Sequence, residues 1–223
     1  MIKLSTILGV MLSVVLGTAA PACAEWFADF YSGAVFWVDP TIHVDVGNGA
    51  ISGNRGRSVA DFTIGGRFGY WLRPVPWLGF ALDTSYYQLH ADAKSPSAPI
   101  QEAKLQIVPI TPLVMARLPL LESSEYPTGR LQPYLGAGPG IFWHRRKFDL
   151  QSGDRTDDDT VDVGADVRAG VAWSFTPHWG IFAEYRFNYF TTSADRDVEA
   201  VDIHAHADLY IHSALAGVRF RWG

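Results

Sequence analysis

Three groups of residues in this 223-residue chain have the types and spacing that chemistry could use. The first is the pair His212-Ser213. A serine hydrolase needs a serine within reach of an imidazole base that an acid orients. Adjacent residues of a strand point to opposite faces, so these two are not expected to meet, and no catalytic residue is assigned. The second is DIHAHAD at 202–208. If that run is extended, Asp202, His204, His206 and Asp208 share one face. Two imidazoles and a carboxylate could hold zinc, copper or nickel. The site is a weak metal candidate, carried by His204, His206 and Asp208, because exposed histidine and aspartate are common where a loop enters a strand. The third group is wider. Arg67, Asp83, Asp166, Arg168, Glu184, Arg186 and Arg219 stand on the polar parity of alternating segments and carry both signs of charge. Brought together in a narrow interior, they would form an ion-pair network.

Other motifs carry less. SGNRGR at 52–57 is glycine-rich but lacks the lysine and hydroxyl of a phosphate-gripping loop, so no cofactor is expected. RRKFDLQSGDRTDDDT at 145–160 begins basic and ends acidic, and lacks the spacing of a calcium loop. It could meet cations, lipopolysaccharide phosphates or a host surface. GAGPG at 136–140 lies within a strand pattern, where glycines relieve crowding or bend the wall. His144 and His178 stand alone and read as interface or turn residues.

These groups need elements to position them. Residues 1–24, MIKLSTILGVMLSVVLGTAAPACA, read as a secretory signal peptide: Lys3 first, then an apolar stretch, then Ala22-Cys23-Ala24 as small residues for cleavage. Residues 25–223 are then the mature domain. A lipoprotein reading through Cys23 lacks the leucine that such signals carry. Cys23 is the sole cysteine, so no internal disulfide forms. The formal charge is -5 and the chain is 48% hydrophobic. That balance excludes nucleic acid as a partner.

Period-two alternation recurs in segments of about a dozen residues. They lie at 26–37, 62–73, 78–89, 104–118, 131–144, 161–175, 179–190 and 210–222. In the sixth, Val161, Val163, Ala165, Val167, Ala169, Val171, Trp173 and Phe175 share one parity. The fourth is apolar on both parities and its faces stay unassigned. Connections at 38–61, 90–103, 145–160 and 191–205 are long and polar. Those at 74–77 and 176–178 are short, and 119–129 is intermediate. This alternation places all the long loops at one end.

Closure of eight such strands removes open sheet edges. The apolar parity then faces either an inner cavity or lipid. Three features favour lipid. The polar parity is mostly small residues with a few charges. Those charges have both signs. Aromatics gather at segment ends on the apolar parity: Trp26, Tyr70, Trp143, Trp173, Phe175, Trp179, Tyr189, Phe220 and Trp222. The expected fold is all-β: an eight-stranded antiparallel up-and-down transmembrane β-barrel with long extracellular loops and short periplasmic turns.

WFADFYSGAVF, FTIGGRFGYWL, LGFALDTSYY, QPYLGAGPGIF, GADVRAGVAWSFTPHWGIFAEYRF and LAGVRFRW, in that order, resemble the small eight-stranded outer-membrane barrels of the OmpA-like or opacity-type porin superfamily. The resemblance spans essentially all of the mature chain. It implies the outer membrane of a Gram-negative cell, with outer-membrane lipid, lipopolysaccharide and the barrel assembly machinery as partners. A surface partner through the long loops is a further possibility, and a monomer is expected with oligomers left open. One departure is the ending Phe220-Arg221-Trp222-Gly223, where members often end on phenylalanine. Another is the lack of an appended peptidoglycan-binding segment, so wall anchoring is not expected. The function expected is non-enzymatic: envelope integrity or surface interaction, with at most a narrow or closed pore. Two alternatives stand beside it, a lipid A-modifying enzyme and a soluble periplasmic barrel with an apolar ligand.

Overall fold

A strand with valine and aromatics on one parity and small or charged residues on the other can satisfy both faces only between two different environments. The computed structural model shows how this chain does so. It describes residues 24–46, 49–54, 61–92, 100–150, 155–198 and 201–223, with side chains over 25–36, 61–88, 105–145, 159–192 and 208–223. The strands are β1 Ala24–Val46, β2 Gly49–Asn54, β3 Asp61–Leu72, β4 Leu78–Asp92 and β5 Ile100–Arg117. They continue as β6 Leu131–Leu150, β7 Arg155–Ser174, β8 Trp179–Val198 and β9 Val201–Trp222.

Each wall strand pairs antiparallel with the next, and β9 pairs back onto β1 from Trp26↔Trp222 to Val46↔Ile203. Eight strands therefore close a barrel. β2 is an addition: it folds back on the far end of β1, pairing Thr41↔Asn54 through Val46↔Gly49.

Much of what reads as long loop is ladder. β6 and β7 stay paired out to Asp149↔Arg155, and β8 and β9 out to Val198↔Val201. Only a few residues separate those strands. The far ends of β6 and β7 are mostly polar in sequence, so hydrophobic alternation stops there while backbone pairing continues. The sequence signal tracks the apolar band, not the strand.

The apolar parity faces outward. Val163 is 71% exposed, Phe30 67% and Phe62 64%, with Val167, Val171, Ile181 and Val218 also exposed. A soluble barrel would bury these residues, so the reading with an inward apolar cavity is overturned. β5 gains its faces here: Ile107, Thr111, Leu113, Met115 and Arg117 point inward, and Val114 and Leu118 outward. Its ladder with β6 is interrupted between Ile110↔Ile141 and Val114↔Ala137, around Pro112 and Pro139, which cannot donate. There a Cβ on Gly138 would stand 1.9 Å from the Pro112 carbonyl oxygen, so the close approach requires glycine.

The interior is layered. Phe27, Tyr31, Trp71, Leu113, Met115, Tyr134, Phe182 and Leu215 form one apolar cluster toward the end with the short turns. Val35, Tyr87, Ile107, Phe142, Phe190, Leu209 and Ile211 form a second toward the other end. Charged side chains lie between them. At the turn end, the β5–β6 connection folds as an ordered cap. Gly129 takes φ 85° and its N–H bonds the Tyr126 carbonyl at 3.0 Å. Arg130 lies over Trp173 at 4.8 Å and donates to the Ser174 carbonyl at 3.2 Å.

Candidate functional site

Period two along each strand delivers one inward side chain every second residue, and closure brings inward positions from opposite walls together. In β1, Asp29 and Tyr31 point in. β3 contributes Arg67, β4 Asp83 and Ser85, β6 Tyr134 and β7 Asp166 and Arg168. β8 adds Glu184, Arg186 and Asn188, and β9 Arg219. All are buried.

Arg67 Nε donates to Asp29 at 2.9 Å and its Nη1 to Glu184 at 2.7 Å. Arg219 makes a two-pronged contact with Asp29 at 2.7 and 2.8 Å. Arg168 grips Asp166 the same way, at 2.9 and 2.6 Å, and reaches Asp83 at 2.9 Å. Arg186 Nη2 donates to the Asp83 carboxylate at 3.3 Å, to Glu184 at 3.3 Å and to the Tyr31 hydroxyl at 2.9 Å. The Tyr31 hydroxyl in turn donates to Asp83 at 2.8 Å, and that of Tyr134 to Glu184 at 2.8 Å. Asn188 donates to Asp166 at 2.9 Å.

Asp29, Asp83, Asp166 and Glu184 thus face Arg67, Arg168, Arg186 and Arg219, and the formal charges cancel. Removing such ions from water is costly unless pairing and hydrogen bonds replace hydration, and here both are present. Aromatic faces supply more: Arg219 lies over Phe27 at 4.7 Å and Arg186 over Tyr31 at 4.9 Å. Glycine makes the room. A Cβ on Gly170 would lie 2.5 Å from the Tyr134 ring, and one on Gly65 2.5 Å from the Tyr31 hydroxyl.

The structure therefore brings Arg67, Asp83, Asp166, Arg168, Glu184, Arg186 and Arg219 into one cluster. It adds Asp29, Tyr31 and Tyr134, which share the polar parity of their segments. A second cluster sits at the turn end. Glu25 accepts from Arg117 at 3.1 and 2.7 Å and from Arg221 at 3.2 Å, while Arg117 lies over Trp71 at 4.4 Å. Arg117 was hidden in the sequence because its strand is apolar on both parities. Toward the loop end, His144 is not an interface residue: it is 1% exposed inside the barrel and pairs with Asp162 at 2.6 Å.

Every carboxylate of the central cluster is bound to guanidinium, so the arrangement ties walls together and fills the lumen. His212 and Ser213 point to opposite sides: Ser213 is buried inside, and His212 bonds Tyr185 on the outer wall. In the weak metal candidate, the side chains of His204 and His206 lie outside the described residues. Asp208 accepts from Thr191 at 2.7 Å and from Tyr189 at 3.2 Å. Among the described residues no group of three or more histidine, cysteine, aspartate or glutamate side chains is placed to hold a metal.

Solved structures share this fold. Neisserial surface protein A is 20% identical, with a TM-score of 0.50, over 88% of this chain and 97% of its own. The outer membrane protein OprG from Pseudomonas aeruginosa is 13% identical, with a TM-score of 0.59, over 88% and 96%. The outer membrane protein AlkL, solved in lipid bilayers, is 16% identical, with a TM-score of 0.52, over 92% and 93%. No curated protein matches the sequence. The family described as outer membrane protein beta-barrel domain matches residues 10–221. The closed antiparallel barrel with its apolar parity outward agrees with that description, and the chain belongs to this family, as a protein of the cell outer membrane.

Proposed function

We propose that this chain is a non-enzymatic envelope protein whose barrel is closed to bulk solutes, and whose work is envelope integrity or contact at the cell surface. One observation carries the reading. The middle of the lumen is filled by the cluster of four carboxylates and four guanidiniums, whose side chains are at most 3% exposed. An eight-stranded barrel has an interior about wide enough for side chains alone, and these side chains occupy it.

Lipid, lipopolysaccharide and the assembly machinery are the partners that go with this role, as a monomer. A surface partner would meet the strands where they continue beyond the apolar band. There Arg145 makes a two-pronged contact with Asp159 at 2.7 and 3.0 Å across β6 and β7.

The test is conductance. Purified folded protein in a planar bilayer at neutral pH should show negligible single-channel current. Sustained large openings would overturn the closed lumen. Incubation with lipid A should leave its acyl chains unchanged by mass spectrometry; loss or transfer of a chain would replace this reading with an enzymatic one.

A further inference from the structure

We infer that His212 and Tyr185 form a binding site on the outer wall of the barrel for the acyl-ester carbonyl of an outer-leaflet lipid. The site concerns the outer wall and stands whether or not the lumen is closed.

His212 is on the lipid-facing parity of β9, in register with Phe36 of β1 and Phe187 of β8. Its ring lies 5.2 Å from Phe187 and 6.0 Å from Tyr185. The Tyr185 hydroxyl is 2.5 Å from His212 Nδ1. A phenol has one proton and is a better donor than neutral imidazole, so the hydroxyl donates and Nδ1 accepts. The ring proton is then on Nε2, the second-nitrogen logic that fixes a histidine tautomer. Among the described residues Nε2 has no partner. A donor facing hydrocarbon without a partner is costly, so the membrane has to supply an acceptor.

Height selects which acceptor. Phe187, opposite His212, is eight residues above Trp179 of the lower aromatic belt. At ~3.3 Å per residue and a tilt of about 40°, His212 is roughly 20 Å above that belt, near the top of an apolar band about 25 Å tall. Ester carbonyls lie at that boundary. Phosphates lie higher, and there the wall presents Asp208, whose charge disfavours them. Below His212 the wall is smooth: Ala214 and Ala216 are exposed on β9, with Ala183 beside them on β8. An acyl chain hanging from the bound ester has room against these alanines, beside the Tyr185 ring.

The experiment uses the whole folded barrel, labelled with ¹⁵N-histidine, in two bilayers. One is of diacyl phosphatidylcholine, and the other of the dialkyl ether analogue, which has the same headgroup and chains but no carbonyl. His212→Gln identifies the His212 signals by NMR. The expected result is a downfield, slowly exchanging Nε2–H in the ester bilayer, with a cross-peak to lipid carbonyl carbon. In the ether bilayer that signal should move upfield and exchange faster. Identical Nε2–H signals in the two bilayers would overturn the site. Tyr185→Phe should mix the tautomers and weaken the carbonyl cross-peak. An unchanged cross-peak in that variant would overturn the role of Tyr185. The unaltered chain alone decides between ester and ether, so the main result does not depend on a variant folding.

Discussion

Glu184 shows how much one residue holds. It accepts from Arg67, Arg186 and Tyr134, and Arg168 stands 3.5 Å from it. Glu184→Gln keeps the shape but removes the charge that three guanidiniums share. Breaking one partner of a buried ion pair typically costs about 3–5 kcal/mol. Denaturant unfolding in detergent or lipid should therefore show a loss of about 3 kcal/mol. A loss under about 1 kcal/mol would mean that water, not Glu184, balances those arginines. Gly170→Val tests the space instead of the charge. The new side chain meets the Tyr134 ring, and overpacking of this kind costs about 1–3 kcal/mol. The network was largely legible at this scale, because charge on the polar parity of a strand is rare enough to stand out. Asp29 and Tyr134 sit on that same parity, so their inward position follows from the same pattern. Arg117 and Glu25 were not legible. One is in a strand without alternation, and the other precedes the first apolar position of its strand.

At the scale of the strand, the sequence reports environment more faithfully than backbone. Alternation located all eight wall strands, because the lipid band imposes it. It understated their length, since Phe148 is the one apolar residue on the rungs from His144↔Thr160 to Asp149↔Arg155 and no alternation marks them. It also understated the lumen's apolar content. Phe27, Phe142, Phe182 and Phe190 are buried inside, on a parity that elsewhere holds glycine and charge. Those aromatics fill the barrel above and below the central ion pairs. The lipid band itself makes a depth prediction on β7. Val171 pairs with Ala183 of β8, four residues above Trp179 of the lower belt, roughly 10 Å by the rise and tilt of such strands. Val161 is ten residues farther along β7, past the upper boundary of a band about 25 Å tall. Val171→Arg should destabilise the barrel by about 2–4 kcal/mol and Val161→Arg by about 0–1 kcal/mol. Equal costs at the two positions, measured by reversible unfolding from lipid vesicles, would contradict this placement of the band.

For the whole molecule the consequence is a lumen with two seals above the turn-end apolar cluster, which forms a third. The ion-pair cluster fills the middle. Toward the loop end comes a second layer, where Phe142 and Phe190 stack at 4.4 Å and His144 lies against Phe190 at 5.9 Å. The two seals are different in kind. The first holds by pairing charges from opposite walls, and the second by burying apolar rings that exclude ions through lack of hydration. Barriers in series do not substitute for one another: an ion that passes one still meets the other. Glu184→Ala should loosen the ion pairs yet leave planar-bilayer current near zero, because the phenylalanine layer stays shut. Phe190→Ala should likewise stay silent, because the charged cluster stays shut. The double variant should stay silent too, because the turn-end apolar cluster stays shut. Current from Glu184→Ala alone would show that neither apolar layer is a barrier, and current from the double variant alone would show that the turn-end cluster is none.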